Sequence, residues 1–202
     1  MSKRIRSVHT CKPTVFLLAA CLALGVALCS LPAPASAATK LAPIPGEEIL
    51  APNLRRTPVS YRTQYPPGSI IIDTSERYLY FITGPGTALR YGIAVGREGY
   101  QWEGSMKITK KREWPDWRPP GAMRARARAQ GKSLPRVVKG GPENPLGARA
   151  IYLGRSEYRI HGTTAPKSIG EAASSGCIRM LNEHVIDLYD QVDLRARVVV
   201  VP

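Results

Sequence analysis

Cysteine is nearly absent from this chain once its first segment is set aside. Of four cysteines in 202 residues, Cys11, Cys21 and Cys29 lie close to the N-terminus, and only Cys177 lies beyond residue 37. That scarcity excludes an internal disulfide framework. No Cys-x-x-Cys pair exists to build a zinc ribbon or a thioredoxin-like redox motif. Histidine is as sparse, with only His161 and His184 beyond residue 37. Two histidines and one cysteine show no standard ligand spacing, so no metal site and no cofactor are expected. A Gly-rich phosphate loop and an internal repeat are also missing. Acidic residues number 15 against 29 lysines and arginines, for a net charge of +14. Such a balance favours an anionic partner: nucleic acid, a membrane surface or a carboxylate-rich polymer.

A long apolar run occurs in one place only. Lys3, Arg4, Arg6 and Lys12 precede an apolar stretch from Val15 to Leu31, followed by Pro32, Pro34 and the small-residue triplet Ala35-Ser36-Ala37. This is the order of a secretion signal, with cleavage expected after Ala37. The stretch is about 17 residues long, the short limit for a retained membrane anchor. Leu18-Ala19-Ala20-Cys21 resembles a lipoprotein box, yet few apolar residues precede it and many follow. Cleavage after Ala37 leaves about 165 residues at a net charge of about +10, enough for one domain with a real core. Export to the periplasm or cell envelope argues against nucleic acid as the partner. Envelope polymers and lipids remain.

Residues 38–67 hold Pro43, Pro45, Pro52, Pro58, Pro66 and Pro67 with few large apolar residues. They read as an extended linker lying on or leading to a domain at 68–202. Short strands are expected at 69–73, 77–82, 88–95, 105–110, 148–154, 157–160 and 196–201, separated by turn residues. One helix is expected from Asn182, an N-cap type, with Val185, Ile186, Leu188, Tyr189 and Val192 on one stripe. The class is therefore mainly β, a sandwich or barrel with a few short helices. Residues 111–147 show little strand pattern and carry Trp114, Trp117 and the run Arg124-Ala125-Arg126-Ala127-Arg128. A stretch of that length is expected to be a lid over a cleft or a packed surface excursion, with the arginines on a solvated basic face.

A lone exported thiol needs a reason, and chemistry is one. His161 ends a strand and opens a loop that Cys177 closes sixteen residues later. Loop ends beside a rigid sheet are common places for reactive groups. An imidazole near the thiol can take its proton and leave the thiolate, the competent nucleophile. Ser174-Ser175-Gly176 gives a small, bendable approach, and the N–H groups of Gly176 and Cys177 are placed to face an oxyanion. The helix from Asn182 starts too late for its dipole to act strongly on the thiol, so His161 carries the activation. His184 falls off the apolar stripe and reads as a solvated surface histidine. The same residues also allow a blander reading, in which Cys177 is a small buried hydrophobe and His161 is bonded to backbone.

Ile160-His161-Gly162-Thr163, Ile169-Gly170 and Ser174-Ser175-Gly176-Cys177-Ile178-Arg179-Met180, with Gly141-Pro142-Glu143-Asn144-Pro145-Leu146-Gly147 upstream, resemble the L,D-transpeptidase catalytic domains of the YkuD type over about residues 68–201. The resemblance implies a mostly β enzyme acting on peptidoglycan stem peptides. Its cysteine attacks the amide between the L-centre of a diamino acid and a terminal D-alanine. The thioester is then passed to an amine of a second stem to form a 3–3 cross-link, or to an envelope protein or a free D-amino acid. Carried over, Cys177 is the nucleophile, His161 the general base and Gly162 the carbonyl that orients the imidazole. Ser174, Ser175, Gly176 and Arg179 shape the substrate and oxyanion region, and Arg179 is suited to a substrate carboxylate. Many family members have His directly before the Gly-Cys pair, where this chain has Ser175. With water as acceptor the same site makes a carboxypeptidase or amidase. The reading from another class is a non-catalytic wall-binding module.

Overall fold

The computed structural model describes residues 41–202, so the expected signal segment, the cleavage after Ala37 and the Cys21 box lie outside the described residues. The described fold is mainly β, with eleven short strands and two α-helices. Strands β2 (Ile70–Asp73), β3 (Tyr78–Gly84) and β4 (Thr87–Gly92) form an antiparallel meander. The β2–β3 turn is tied by Asp73, whose Oδ1 accepts from the Glu76 N–H and the Ser75 hydroxyl, both at 2.8 Å. The C-terminal strand β11 (Arg197–Val201) lies parallel to β2 and antiparallel to β6 (Gly104–Glu113).

Strand β6 joins the two halves of the nine-stranded sheet. Its first residues pair with β11, and beyond a register shift at Ile108–Lys110 the rest pairs with β7 (Arg149–Leu153). Next come β8 (Arg159–His161), antiparallel to β7, and the two-residue β10 (Ile178–Arg179), parallel to β8. A separate parallel pair joins β5 (Val95–Gly96) to β9 (Ala172–Ser174). It is stitched to β10 by reciprocal 2.9 Å bonds between the backbones of Ala94 and Arg179.

The core fills between these strands and helix α2 (Asn182–Gln191). Ile70, Ile72, Leu79, Ile108, Ile151, Ile160, Val185, Leu188 and Val198 are fully buried there. Burying such a side chain contributes roughly 1.5–3 kcal/mol each. The near-continuous apolar runs of β2 and β11 follow from their central, parallel position, where both faces are covered.

Three local features differ from the sequence reading. The Arg-Ala run forms helix α1 (Gly121–Ala129), packed through the buried Ala127. Residues 41–67 carry two single-turn 3-10 helices and strand β1 (Thr57–Ser60), which pairs with β4. His184 is fully buried rather than solvated. Its Nε2 lies 3.0 Å from the buried Glu47 carboxylate, and its ring packs edge-on to Tyr91. Burial holds His184 below the ordinary histidine range despite Glu47. Burial pushes Glu47 upward, but bonds from His184, Arg56 N–H and Ile44 N–H together bring it below the usual carboxylate value. The pair is therefore a neutral imidazole donating Nε2–H to a carboxylate. Among the described residues, the buried Nδ1 lone pair has no partner.

Candidate active site

Parallel pairing of β8 and β10 builds the site. Ile178 lies opposite Ile160 and Arg179 opposite His161, so Cys177 arrives one residue before the pairing begins, level with Arg159. Side chains two apart on a strand share a face. Arg159 and His161 therefore project on the side opposite the buried Ile160, with Cys177 and Arg179 beside them. All four line one cavity of about 430 Å³. The sequence-predicted residues Ser174 and Ser175 line it too.

His161 is oriented by its own neighbour. Its Nδ1 lies 2.6 Å from the Gly162 carbonyl oxygen, which can only accept, so Nδ1 carries the proton and Nε2 presents a lone pair in the neutral ring. Gly162 and Gly147 are glycines for steric reasons, because a Cβ at either would collide with Asn182 Oδ1. That Asn182 side chain does not cap α2; Leu181 occupies the cap position. Its Oδ1 accepts from Ala148 N–H (3.0 Å) and Thr163 N–H (3.1 Å), and its Nδ2 donates to the Thr163 carbonyl (3.0 Å). Asn182 thus locks the end of β8 to the start of β7, directly behind the imidazole.

The approach to Cys177 is also locked. Ser174 is buried, and its hydroxyl donates to the Cys177 carbonyl (2.5 Å) while accepting from Gly176 N–H (3.1 Å). The Gly176 N–H is thereby engaged within the loop. Among the described residues the Cys177 N–H takes no hydrogen-bond partner. Gly176 has φ +101°, and a Cβ there would press on the Tyr158 ring at 2.7 Å. Tyr158 stacks on Trp102 at 4.5 Å, and the Trp102 indole donates to the Gly176 carbonyl at 2.8 Å. Neither aromatic stood out in the sequence, because no spacing rule links them to residue 176.

Burial favours the neutral form of both His161 and Cys177. Burial drives His161 down to about 3, outweighing the carbonyls of Gly162 and Leu146 that favour the charged ring; Arg179 and Arg159 push the same way as burial. Burial likewise pushes the Cys177 thiol up. Opposing it are the Arg159 charge, the Arg159 N–H directed at Sγ and Arg179, while Glu157 adds to the rise. Sγ itself lies 3.7 Å from the Glu157 carbonyl, as a thiol donor would. Arg179 is half-buried, with Nη1 3.5 Å from Ser168 Oγ, and burial lowers its pKa.

The expected lid does wall the cleft, through Trp117, Pro120 and Met123. Asn144, fully buried, holds its base. Its Nδ2 reaches the carbonyls of Pro115, Val138 and Lys139 at 2.9–3.0 Å, and its Oδ1 accepts from Leu146 N–H. Trp117 and Val138 add a reciprocal backbone bridge at 2.8 Å.

The model of the L,D-transpeptidase catalytic domain, YkuD, matches residues 67–200. This chain belongs to that family. The L,D-transpeptidase domain has a relative in Escherichia coli K12, named Probable L,D-transpeptidase YbiS, which is 39% identical over 134 residues, 64% of this chain and 43% of that protein. The chain thus spans less than half the length of this curated relative. A crystal structure from Brucella melitensis, described as a probable carnitine operon oxidoreductase, is 44% identical and covers 77% of this chain and 99% of that one. Its TM-score of 0.49 carries no functional weight. An Enterococcus faecium L,D-transpeptidase mutant superimposes with a TM-score of 0.53 at 14% identity, covering 68% of this chain and 50% of that one. At that identity the likeness is one of fold.

Proposed function

We propose that this protein is an exported L,D-transpeptidase that passes a peptidoglycan acyl group through a thioester on Cys177. One observation carries the reading: His161, its Nδ1 fixed on the Gly162 carbonyl, shares one cavity with Cys177. As the thiol attacks the amide carbonyl between the diamino acid and terminal D-alanine, its proton passes to Nε2 of His161. The carbonyl π-pair moves to oxygen, which the Cys177 N–H faces. Collapse of this tetrahedral species breaks the C–N bond, and His161 returns the proton to the departing D-alanine amine. An acceptor amine then attacks the thioester, its proton goes to His161, and the thiolate leaves and is reprotonated there. Arg179, and Ser175 beside it, contact the substrate, with Arg179 holding a carboxylate.

Because thiol and imidazole are both neutral at rest, proton transfer accompanies attack rather than preceding it. The acceptor is a second stem peptide, an envelope protein or a D-amino acid. Muropeptide profiles of cells lacking the protein, complemented by wild type or Cys177→Ala, test transfer. Gain of cross-linked products with wild type only is expected. Loss of cross-links with wild type would instead identify a hydrolase. Export and cleavage after Ala37 predict that the envelope-extracted protein begins at Ala38 by intact mass.

A further inference from the structure

Helix α1 has two working faces. Pro120 and Met123 look into the cleft above Cys177. Roughly 100° further round the helix, at 3.6 residues per turn, Gly121, Arg124 and Arg128, spaced by three and four residues, face a second cavity of about 590 Å³. Arg118, Ser133 and Arg136, from the segments flanking the helix, complete its polar wall. No Asp or Glu lines it. None of the four guanidiniums makes an ion pair among the described residues, and residues 1–40 contain no acidic side chain that could supply one. Elsewhere Arg56, Arg149 and Lys139 are matched to Asp187, Glu113 and Asp116. The acid that Arg118 senses, Asp116, is taken by Lys139 Nζ and Gly140 N–H, each at 3.1 Å.

Arg118, Arg128 and Arg136 are solvent-exposed, and contacts within the fold use little of this cluster. Arg128 lies in the last turn of α1, where a cation suits the free carbonyls. One Arg124 nitrogen donates to the Pro119 carbonyl at 2.9 Å. Arg118 and Arg136 have no such partner, and four like charges around one hollow repel one another. We propose that this cavity is a binding site for a phosphoryl dianion. Guanidinium forks bind phosphoryl oxygens bidentately, and the Ser133 hydroxyl adds a donor. A carboxylate offers two oxygens and one charge, whereas a phosphoryl group offers three oxygens and close to two charges. Only the latter engages most of a wall made of four cations. The site is distinct from the Cys177 cavity and does not rest on its chemistry.

Calorimetric titration of the processed protein with inorganic pyrophosphate, at fixed ionic strength, tests the proposal. Saturable binding at one site per chain is expected. It should weaken at least tenfold in Arg128→Gln/Arg136→Gln and stay unchanged in Arg112→Gln, an exposed arginine off the cavity; circular dichroism checks that each variant folds. Vesicles bearing phosphatidic acid, set against phosphatidylglycerol at equal lipid charge, separate the sources. Excess binding to phosphatidic acid that the double variant loses supports a lipid headgroup, and equal binding to both supports a soluble phosphate. Absence of saturable pyrophosphate binding, equal affinity in the double variant, or citrate binding as tightly as pyrophosphate would overturn it.

Discussion

At the scale of single residues, the proposed Cys177–His161 pair is poised by burial rather than by ionisation. A thiol pushed up and an imidazole held near 3 share no proton at neutral pH. Alkylation of Cys177 by iodoacetamide is therefore expected to climb steadily with pH, its midpoint above the ordinary thiol value of about 8.5. A rate plateau reaching down to pH 5–6 would instead reveal a thiolate–imidazolium pair. His161→Gln is expected to lower transfer by about 10²–10⁴-fold, the usual span for a general base, with binding retained. Acid stability follows from the same burial. Above about pH 6.5 His161 is neutral whether folded or unfolded. As pH falls from there toward 3, only the unfolded chain takes up the proton, so folding loses on the order of a few kcal/mol. His184 adds a loss of the same sign. Thermal unfolding scans should show Tm dropping between pH 7 and 4, and a shallower drop in His184→Gln. A flat profile would contradict the neutral assignment.

At the scale of elements, two asparagines do the joining. Asn144→Ala leaves the Pro115 and Lys139 carbonyls and the Leu146 N–H without this partner, while Val138 keeps its bond from Trp117 N–H, at an expected cost of about 1–3 kcal/mol per stranded buried group. Limited proteolysis should nick residues 115–140 faster in this variant than in wild type, and a bound acylating inhibitor should slow the nicking in wild type. Unchanged protection in the variant would show that the lid is held elsewhere. The strands at 70–73, 78–84 and 197–201 and the helix from Asn182 were legible because burial imposes a period on long apolar stretches. Helix α1 was not, since its inward face is only Met123 and Ala127, with Pro120 at the cap before it, too small a stripe to register against alternating arginines. Asn182 looked like a helix cap because residue type and position fit one. Tertiary partners at Ala148 and Thr163 claimed its side chain instead. The two-residue pairings of β5 and β10 have no sequence period at all, although β10 sets the level of Cys177 against Arg159.

At the scale of the whole molecule, the two halves of the sheet meet at β6, and the site lies on the half built from β7, β8 and β10. His161 and Cys177 were legible as a pair because a lone thiol and a strand-end histidine are scarce residues in a specific motif. Their neutral resting state was not, since burial is a property of the fold. Among the described residues no helix is long and apolar enough to cross a membrane. Binding to anionic wall polymer should weaken steeply as salt rises toward 1 M, where the screening length falls to about 3 Å. Cys177→Ala should leave that binding intact, which separates attachment from chemistry.

The most direct test of the central claim is intact-protein mass spectrometry after incubation with a carbapenem, an acylating analogue of the donor. A single adduct mapping to Cys177 is expected, slowed strongly by His161→Gln and absent in Cys177→Ala. A folded wild-type protein that acquires no adduct, or acquires one elsewhere, would contradict it.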